Sequence, residues 1–150
     1  RPFKSIEHMD MEIIRRWNER VKPDDTVFHL GDFCFKEKDG KDFNYYRKQL
    51  NGRLVLICGN HDHNNGSDAV INFASIRLGG IDWHLEHVPN YSVKYNLCAH
   101  IHQNWLIDRH GDQICYNVGV DQHSFYPIDI NEIMRDINRK PFIPPTNINI

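Results

Sequence analysis

The sequence predicts an α/β domain, and three observations carry that expectation. Two apolar runs, Thr26-Val27-Phe28-His29-Leu30 and Leu54-Val55-Leu56-Ile57-Cys58, flank a segment with Phe43, Tyr46 and Leu50 on one helical face, which reads as strand, helix, strand. Beyond residue 75 strand-length runs dominate. Finally, apolar runs open directly into polar loops: Leu30 into Gly31-Asp32, Cys58 into Gly59-Asn60-His61-Asp62, and Ala99 into His100-Ile101-His102. Strand ends that open into loops are where α/β proteins keep their chemistry.

The elements follow in order. Ser5 caps a first helix carrying Ile6, Met9, Ile13, Trp17 and Val21, mostly at four-residue spacing, and Pro23-Asp24-Asp25 stops it. A strand over 26–30 comes next, then a helix over 41–50 closed by Asn51-Gly52, then a strand over 53–58. After a loop rich in His and Asn, a short helix is expected near 67–73. Residues 75–78 and 81–85 around Gly79-Gly80 read as a hairpin. Strands over 95–99, 105–108 and 113–120 follow, with His110-Gly111-Asp112 as a turn, and a last helix covers 131–139. Residues 1–140 read as one domain and 141–150, with Pro144-Pro145 and alternating Asn, as an irregular tail.

Composition narrows the class. With 150 residues and 40% hydrophobic content the chain can build a real core. A formal charge of −2 and the lack of a long Lys/Arg run argue against a protein that grips duplex nucleic acid by its phosphates, and leave a small phosphorylated substrate as the expected partner. Cys34, Cys58, Cys98 and Cys115 form no C-x-x-C pair, and three of them lie in or beside apolar runs. They read as reduced core residues of a cytoplasmic protein. No apolar stretch approaches the roughly 18 residues of a membrane span, and no signal-peptide pattern opens the chain.

Asp32, Asn60, His87, His100 and His102 are a carboxylate, an amide carbonyl and three imidazoles, a mixture suited to Mn²⁺, Fe or Zn²⁺ rather than to a closed thiolate site. A carboxylate has two oxygens and can bridge two cations. An amide oxygen holds a metal without adding negative charge, which keeps the cluster attractive to phosphate. His100 and His102 would share a face on a regular strand, but at a strand end the loop can turn them toward different neighbours. His61, one residue beyond a ligand, can protonate a leaving oxygen, and Asp62 can fix its orientation. Taken singly, each has a plainer role: Asp32 and Asn60 as turn residues, His87 as the start of the turn at Val88-Pro89-Asn90, His29 as a hydrogen-bonded core histidine, and His63, His84, His110 and His123 as loop or surface residues. Several independent strand ends each supplying ligands in one small domain favour the site.

In these residues the chain resembles the calcineurin-like metallophosphoesterases, whose pattern is Asp-x-His, then Gly-Asp, then Gly-Asn-His-Asp/Glu, then a single His, then Gly-His-x-His. Gly31-Asp32, Gly59-Asn60-His61-Asp62, His87 and Ala99-His100-Ile101-His102 match in order and spacing, and the likeness runs from the first helix to Asn117-Val118-Gly119. It is similar above all to small, single-domain bacterial and phage members. The resemblance implies two packed β-sheets flanked by helices, with two divalent ions, Mn²⁺ favoured over Fe or Zn²⁺, at the strand ends. It implies that Asp32 bridges the ions, that Asn60, His87 and His100 complete one site, and that His102 serves the other.

Two departures stand out. Ala99 replaces the Gly before the His pair, a mild change where the backbone is ordinary. The opening Asp-x-His block, which in the family ends a central first strand and supplies two ligands to the ion that His102 serves, is absent. The expectation is therefore a missing first strand, with native residues ahead of Arg1. The reaction implied is hydrolysis of a phosphomonoester or phosphodiester by a dinuclear centre that activates a water nucleophile. The competing reading is a catalytically impaired relative used as a binding scaffold, and a nuclease ranks below both because of the acidic balance.

Overall fold

The computed structural model describes residues 2–34, 40–62 and 70–139, so the expected tail over 141–150, His63 and the first part of the expected helix at 67–73, residues 67–69, lie outside the described residues. The order is α1 (Ile6–Arg20), β1 (Thr26–His29), α2 (Phe43–Arg47), β2 (Arg53–Leu56), β3 (Phe73–Leu78), β4 (Ile81–Glu86), β5 (Tyr95–Cys98), β6 (Ile107–His110), β7 (Gln113–Asn117), a 3₁₀ turn (Val120–Gln122) and α3 (Ile130–Asn138).

Ser5 caps α1 as expected: it is extended, and its side chain accepts from the His8 N–H at 3.2 Å. Glu7 in the first turn and Arg20 in the last complement the helix dipole. The helix docks through Trp17, whose buried indole donates to the Asn51 carbonyl at 2.9 Å, and through Asn18, whose amide oxygen accepts from the Asn51 N–H at 2.8 Å. This anchors the turn that feeds β2. The second helix starts later than expected, because Asp42 caps it by accepting from the Tyr45 N–H at 3.0 Å, and it ends at Arg47 rather than running to Leu50.

β1 and β2 pair in parallel with Thr26 opposite Arg53 and His29 opposite Leu56, so the loops after them leave at the same end. The larger sheet has the order β3-β4-β5-β7-β6, with β4, β5 and β7 parallel and the β3–β4 and β6–β7 hairpins antiparallel. The α/β fold with two sheets flanked by helices is therefore as predicted. Among the described residues β1 has no strand partner on its other side.

One core joins the sheets. Leu30 and Ile57, just beyond β1 and β2, cluster with Trp83, Leu85, Leu97 and Tyr116 of the larger sheet and with Ile133 and Ile137 of α3. Each buried aliphatic side chain contributes about 1.5–3 kcal/mol of burial. Asp129 and Glu132 form a capping box on α3, and the Tyr116 hydroxyl donates to Asp136 at 2.7 Å, fixing the helix against β7.

Several expectations need correction. Residues 70–73 are extended rather than helical: Ile71 bridges Ile57 in parallel and Phe73 opens β3. The strand expected over 105–108 begins at Ile107, and the one expected over 113–120 ends at Asn117, where the chain turns into the 3₁₀ segment. His84 is not a loop residue but lies within β4 and pairs with Glu86 at 3.0 Å. His123 is half-buried and stacks on Tyr116, rings 5.9 Å apart. His29 Nδ1 is buried without a hydrogen-bond partner among the described residues, and burial pushes the imidazole down to about 4. No helix of the described residues is long and apolar enough to cross a membrane.

Candidate metal centre

The ends of β1 and β2 lie close enough that neither loop tolerates a side chain at its glycine. A Cβ on Gly31, at φ +90°, would sit 2.5 Å from the Gly59 Cα and 2.6 Å from His87 Nδ1, and one on Gly59 would sit 2.3 Å from Asp32 Oδ1. The two loops are tied reciprocally. Asp62, 7% exposed, accepts at Oδ2 from the N–H groups of Asp32 (2.7 Å) and Gly59 (2.8 Å), and at Oδ1 from the N–H of Phe33 (2.9 Å). In return Asp32 Oδ1 accepts from the His61 N–H at 2.9 Å. Bonds of backbone N–H to a carboxylate are about twice as strong as neutral ones, so each loop fixes the other's turn. That fixing is needed because Asp32 has φ +54°, a conformation costing on the order of 1–3 kcal/mol for a residue with a side chain.

His87 follows β4 and is 4% exposed. Its Nδ1 lies 2.6 Å from the Leu30 carbonyl oxygen, which only accepts, so Nδ1 carries a proton and Nε2 is the nitrogen that can offer a lone pair. Around that lone pair lie Asn60 Oδ1 at 2.9 Å, His100 Nδ1 at 3.1 Å and Asp32 Oδ2 at 3.3 Å, and Asn60 Oδ1 lies 3.0 Å from His100 Nδ1. Four atoms that can accept thus converge from four chain segments. A single proton between two of them leaves the other two facing lone pairs, whereas one cation satisfies all four. The spacing fits as well, since ligands about 2.1 Å from a common ion stand roughly 3.0–3.4 Å apart. The ligand atoms of Asp32, His87 and His100 lie within 4.8 Å of one another, forming a candidate metal site to which Asn60 adds its oxygen. Burial pushes the Cys58 thiol up and that of Cys34 to about 11.

The remaining predicted residues are placed differently. His61 is exposed on the loop beside Asn60. His102 stands outside the cluster: its ring is 62% exposed and its Nδ1 lies 3.1 Å from Asp121 Oδ2. His100 and His102 have φ of +57° and +48°, so the loop after β5 turns sharply at both, and His100 alone enters the cluster. Ala99, where the Gly of the pattern is missing, is not among the residues with positive φ, and its N–H donates to the His87 carbonyl at 3.0 Å.

Sequence reasoning missed three residues that hold this loop. Asn117, fully buried, donates its amide to the carbonyls of His102 (2.6 Å) and Trp105 (2.9 Å), Gln122 donates to the His102 carbonyl at 3.1 Å, and Asp121 faces the ring. The available signal was polar Asn117 closing an apolar strand just ahead of Gly119.

Comparison with known proteins supports the fold. No family model matches the chain. An uncharacterised protein of Methanocaldococcus jannaschii is 28% identical across 98% of this chain and 85% of its own length. The crystal structure of a protein of unknown function from Aquifex aeolicus superposes with a TM-score of 0.66 at 24% identity, covering 87% of this chain and 86% of that one. An archaeal phosphodiesterase gives a TM-score of 0.49 at 18% identity over 75% of this chain and 78% of its own. The two-sheet α/β arrangement is thus shared with a protein of similar length, and the candidate metal site sits where its strands end.

Proposed function

We propose that the protein is a metal-dependent phosphoesterase of the small, single-domain calcineurin-like kind, acting in the cytoplasm on a small phosphodiester, phosphomonoester or nucleotide. The observation that carries the reading is the convergence of Asp32, Asn60, His87 and His100 on one point. A divalent ion bound there, Mn²⁺ by preference, supplies Lewis-acid polarisation of a phosphoryl oxygen and lowers the pKa of water. Asp32, with one oxygen at this point and the other near the His61 N–H, would lie between this ion and a second one served by His102. His61 would give a proton to the leaving oxygen. Asp62 would act by holding both loops, since its oxygens already accept backbone N–H groups from each. The formal charge of −2 favours a compact anionic substrate over a nucleic-acid polymer.

The test is turnover of aryl and alkyl phosphoesters by the chelator-treated protein before and after adding Mn²⁺, Fe²⁺ or Zn²⁺, with Asn60→Ala as control. Hydrolysis that appears with metal and falls in the variant supports the proposal. Metal bound without turnover of any ester would favour a binding scaffold. Salt-sensitive preference for long nucleic acid would restore the nuclease reading.

A further inference from the structure

We propose that Asp121 is a positioning residue that holds His102 in the tautomer whose Nε2 is free to bind a cation, an inference that rests on the reading of His102 as a ligand of the second ion. The two partners differ in environment. Asp121 is 10% exposed and His102 62%, so a largely buried acid anchors a ring that projects into solvent, which is not the pattern of a mutual surface ion pair. The carboxylate accepts, so the 3.1 Å contact places a proton on Nδ1, and in the neutral ring the lone pair is then on Nε2. The backbone is fixed independently. His102 has φ +48°, and its carbonyl takes amide donors from Asn117 at 2.6 Å and Gln122 at 3.1 Å. Asn117 is itself fully buried, its oxygen held by the Gly119 N–H at 2.9 Å, so the turn carrying Asp121 and the loop carrying His102 are built on one side chain. A strained, exposed histidine held at both carbonyl and ring is set up for use, and a carboxylate on the far nitrogen is how proteins orient metal-binding imidazoles. His100 and His102 then present opposite nitrogens: Nδ1 of the first lies in the four-atom cluster, and Nε2 of the second lies opposite the nitrogen that meets Asp121.

The experiment is nitrogen-15 NMR of the histidine rings in the metal-free full chain at about pH 8, above the ordinary imidazole range, followed by titration with Zn²⁺. The parent should show His102 with Nδ1 protonated and Nε2 bare. Asp121→Ala should move the proton to Nε2, the form an unassisted ring prefers, and raise the Zn²⁺ concentration at which Nε2 shifts by about 10–100-fold. Asp121→Asn, whose amide oxygen still accepts, should keep the parent tautomer, which a purely structural role for the carboxylate would not require, and it preserves the test if the alanine variant misfolds. A proton on Nε2 in the parent, or a tautomer unmoved in Asp121→Ala, overturns the inference. The stated tautomers with Nε2 indifferent to saturating Zn²⁺ would uphold the hold of Asp121 on His102 and instead remove the ligand reading.

Discussion

His87 Nδ1 donates to the Leu30 carbonyl oxygen across 2.6 Å, and this bond decides which side of the ring is free. Because a backbone carbonyl cannot give a proton, Nδ1 must, and Nε2 is the nitrogen left to face Asn60, His100 and Asp32. Loss of partners that only orient a ligand typically costs 10–100-fold in metal affinity, so His87→Ala, which removes a ligand, should weaken Mn²⁺ or Zn²⁺ binding by about 100-fold or more. Calorimetric titration of the two proteins checks this, and equal affinities would place the ion elsewhere.

Asp62 is expected to matter for stability before it matters for chemistry. Its side chain takes N–H groups from Gly59, Asp32 and Phe33, and truncation leaves these buried and part-buried donors without their carboxylate. Asp62→Ala should cost about 3 kcal/mol, lowering Tm by roughly 6–12 °C in a chain of this size. Asp62→Asn should lose less. Thermal unfolding of the metal-free proteins measures both, and a change of under about 1 kcal/mol in the alanine variant would mean the loops are held by something else.

His61 separates catalysis from metal binding. Its backbone N–H meets Asp32, but its ring is not part of the four-atom cluster, so His61→Ala should leave metal content nearly intact. Turnover of an alkyl ester should fall by about 10²–10⁴-fold, and that of an activated aryl ester by much less, because an aryloxide departs without needing a proton. Undiminished alkyl-ester turnover would reduce His61 to a turn residue.

Half-buried His29, whose Nδ1 is shut off from solvent, sets a pH dependence of folding. Burial pushes its imidazole from the ordinary 6.5 to about 4, so the unfolded chain binds this proton more readily than the folded one. The stability associated with its neutral form is fully present above about 6.5, declines as the pH falls from there to about 4, and is lost below that, a swing of about 3 kcal/mol. His29→Phe should remove this part of the acid slope and be neutral or stabilising at pH 7, since it deletes a polar atom that has no partner among the described residues. Denaturant unfolding at a series of pH values, with chelator present, gives the difference, and parallel curves for the two proteins would refute it.

The parts of the fold written in local pattern were legible: the Ser5 cap, the apolar runs of β1 and β2, and the Gly79-Gly80 hairpin. Candidate ligands were legible because each closes an apolar run, and their type declares their chemistry. Contacts that depend on register were not. Nothing in the sequence says that Asp62 will meet the N–H groups of Asp32 and Phe33, because that follows from the parallel pairing of β1 with β2. The partner of His87 is a main-chain carbonyl, which every residue has. The stretch around Val70, Ile71 and Phe73 has helix-like apolar spacing, but Ile71 is drawn into a bridge with Ile57 and the tertiary partner overrides local preference. Asp121 was invisible for a similar reason, since it faces His102 only after β7 has brought the two loops together.

The most direct test of the metal centre is anomalous diffraction at the manganese edge from crystals of the full chain grown with Mn²⁺. A peak is expected about 2 Å from His87 Nε2, Asn60 Oδ1, His100 Nδ1 and an Asp32 oxygen, with Leu30 still accepting from His87 Nδ1. A map without density between these four atoms at saturating Mn²⁺, and equally without it after exchange to Zn²⁺, would contradict the proposed metal centre.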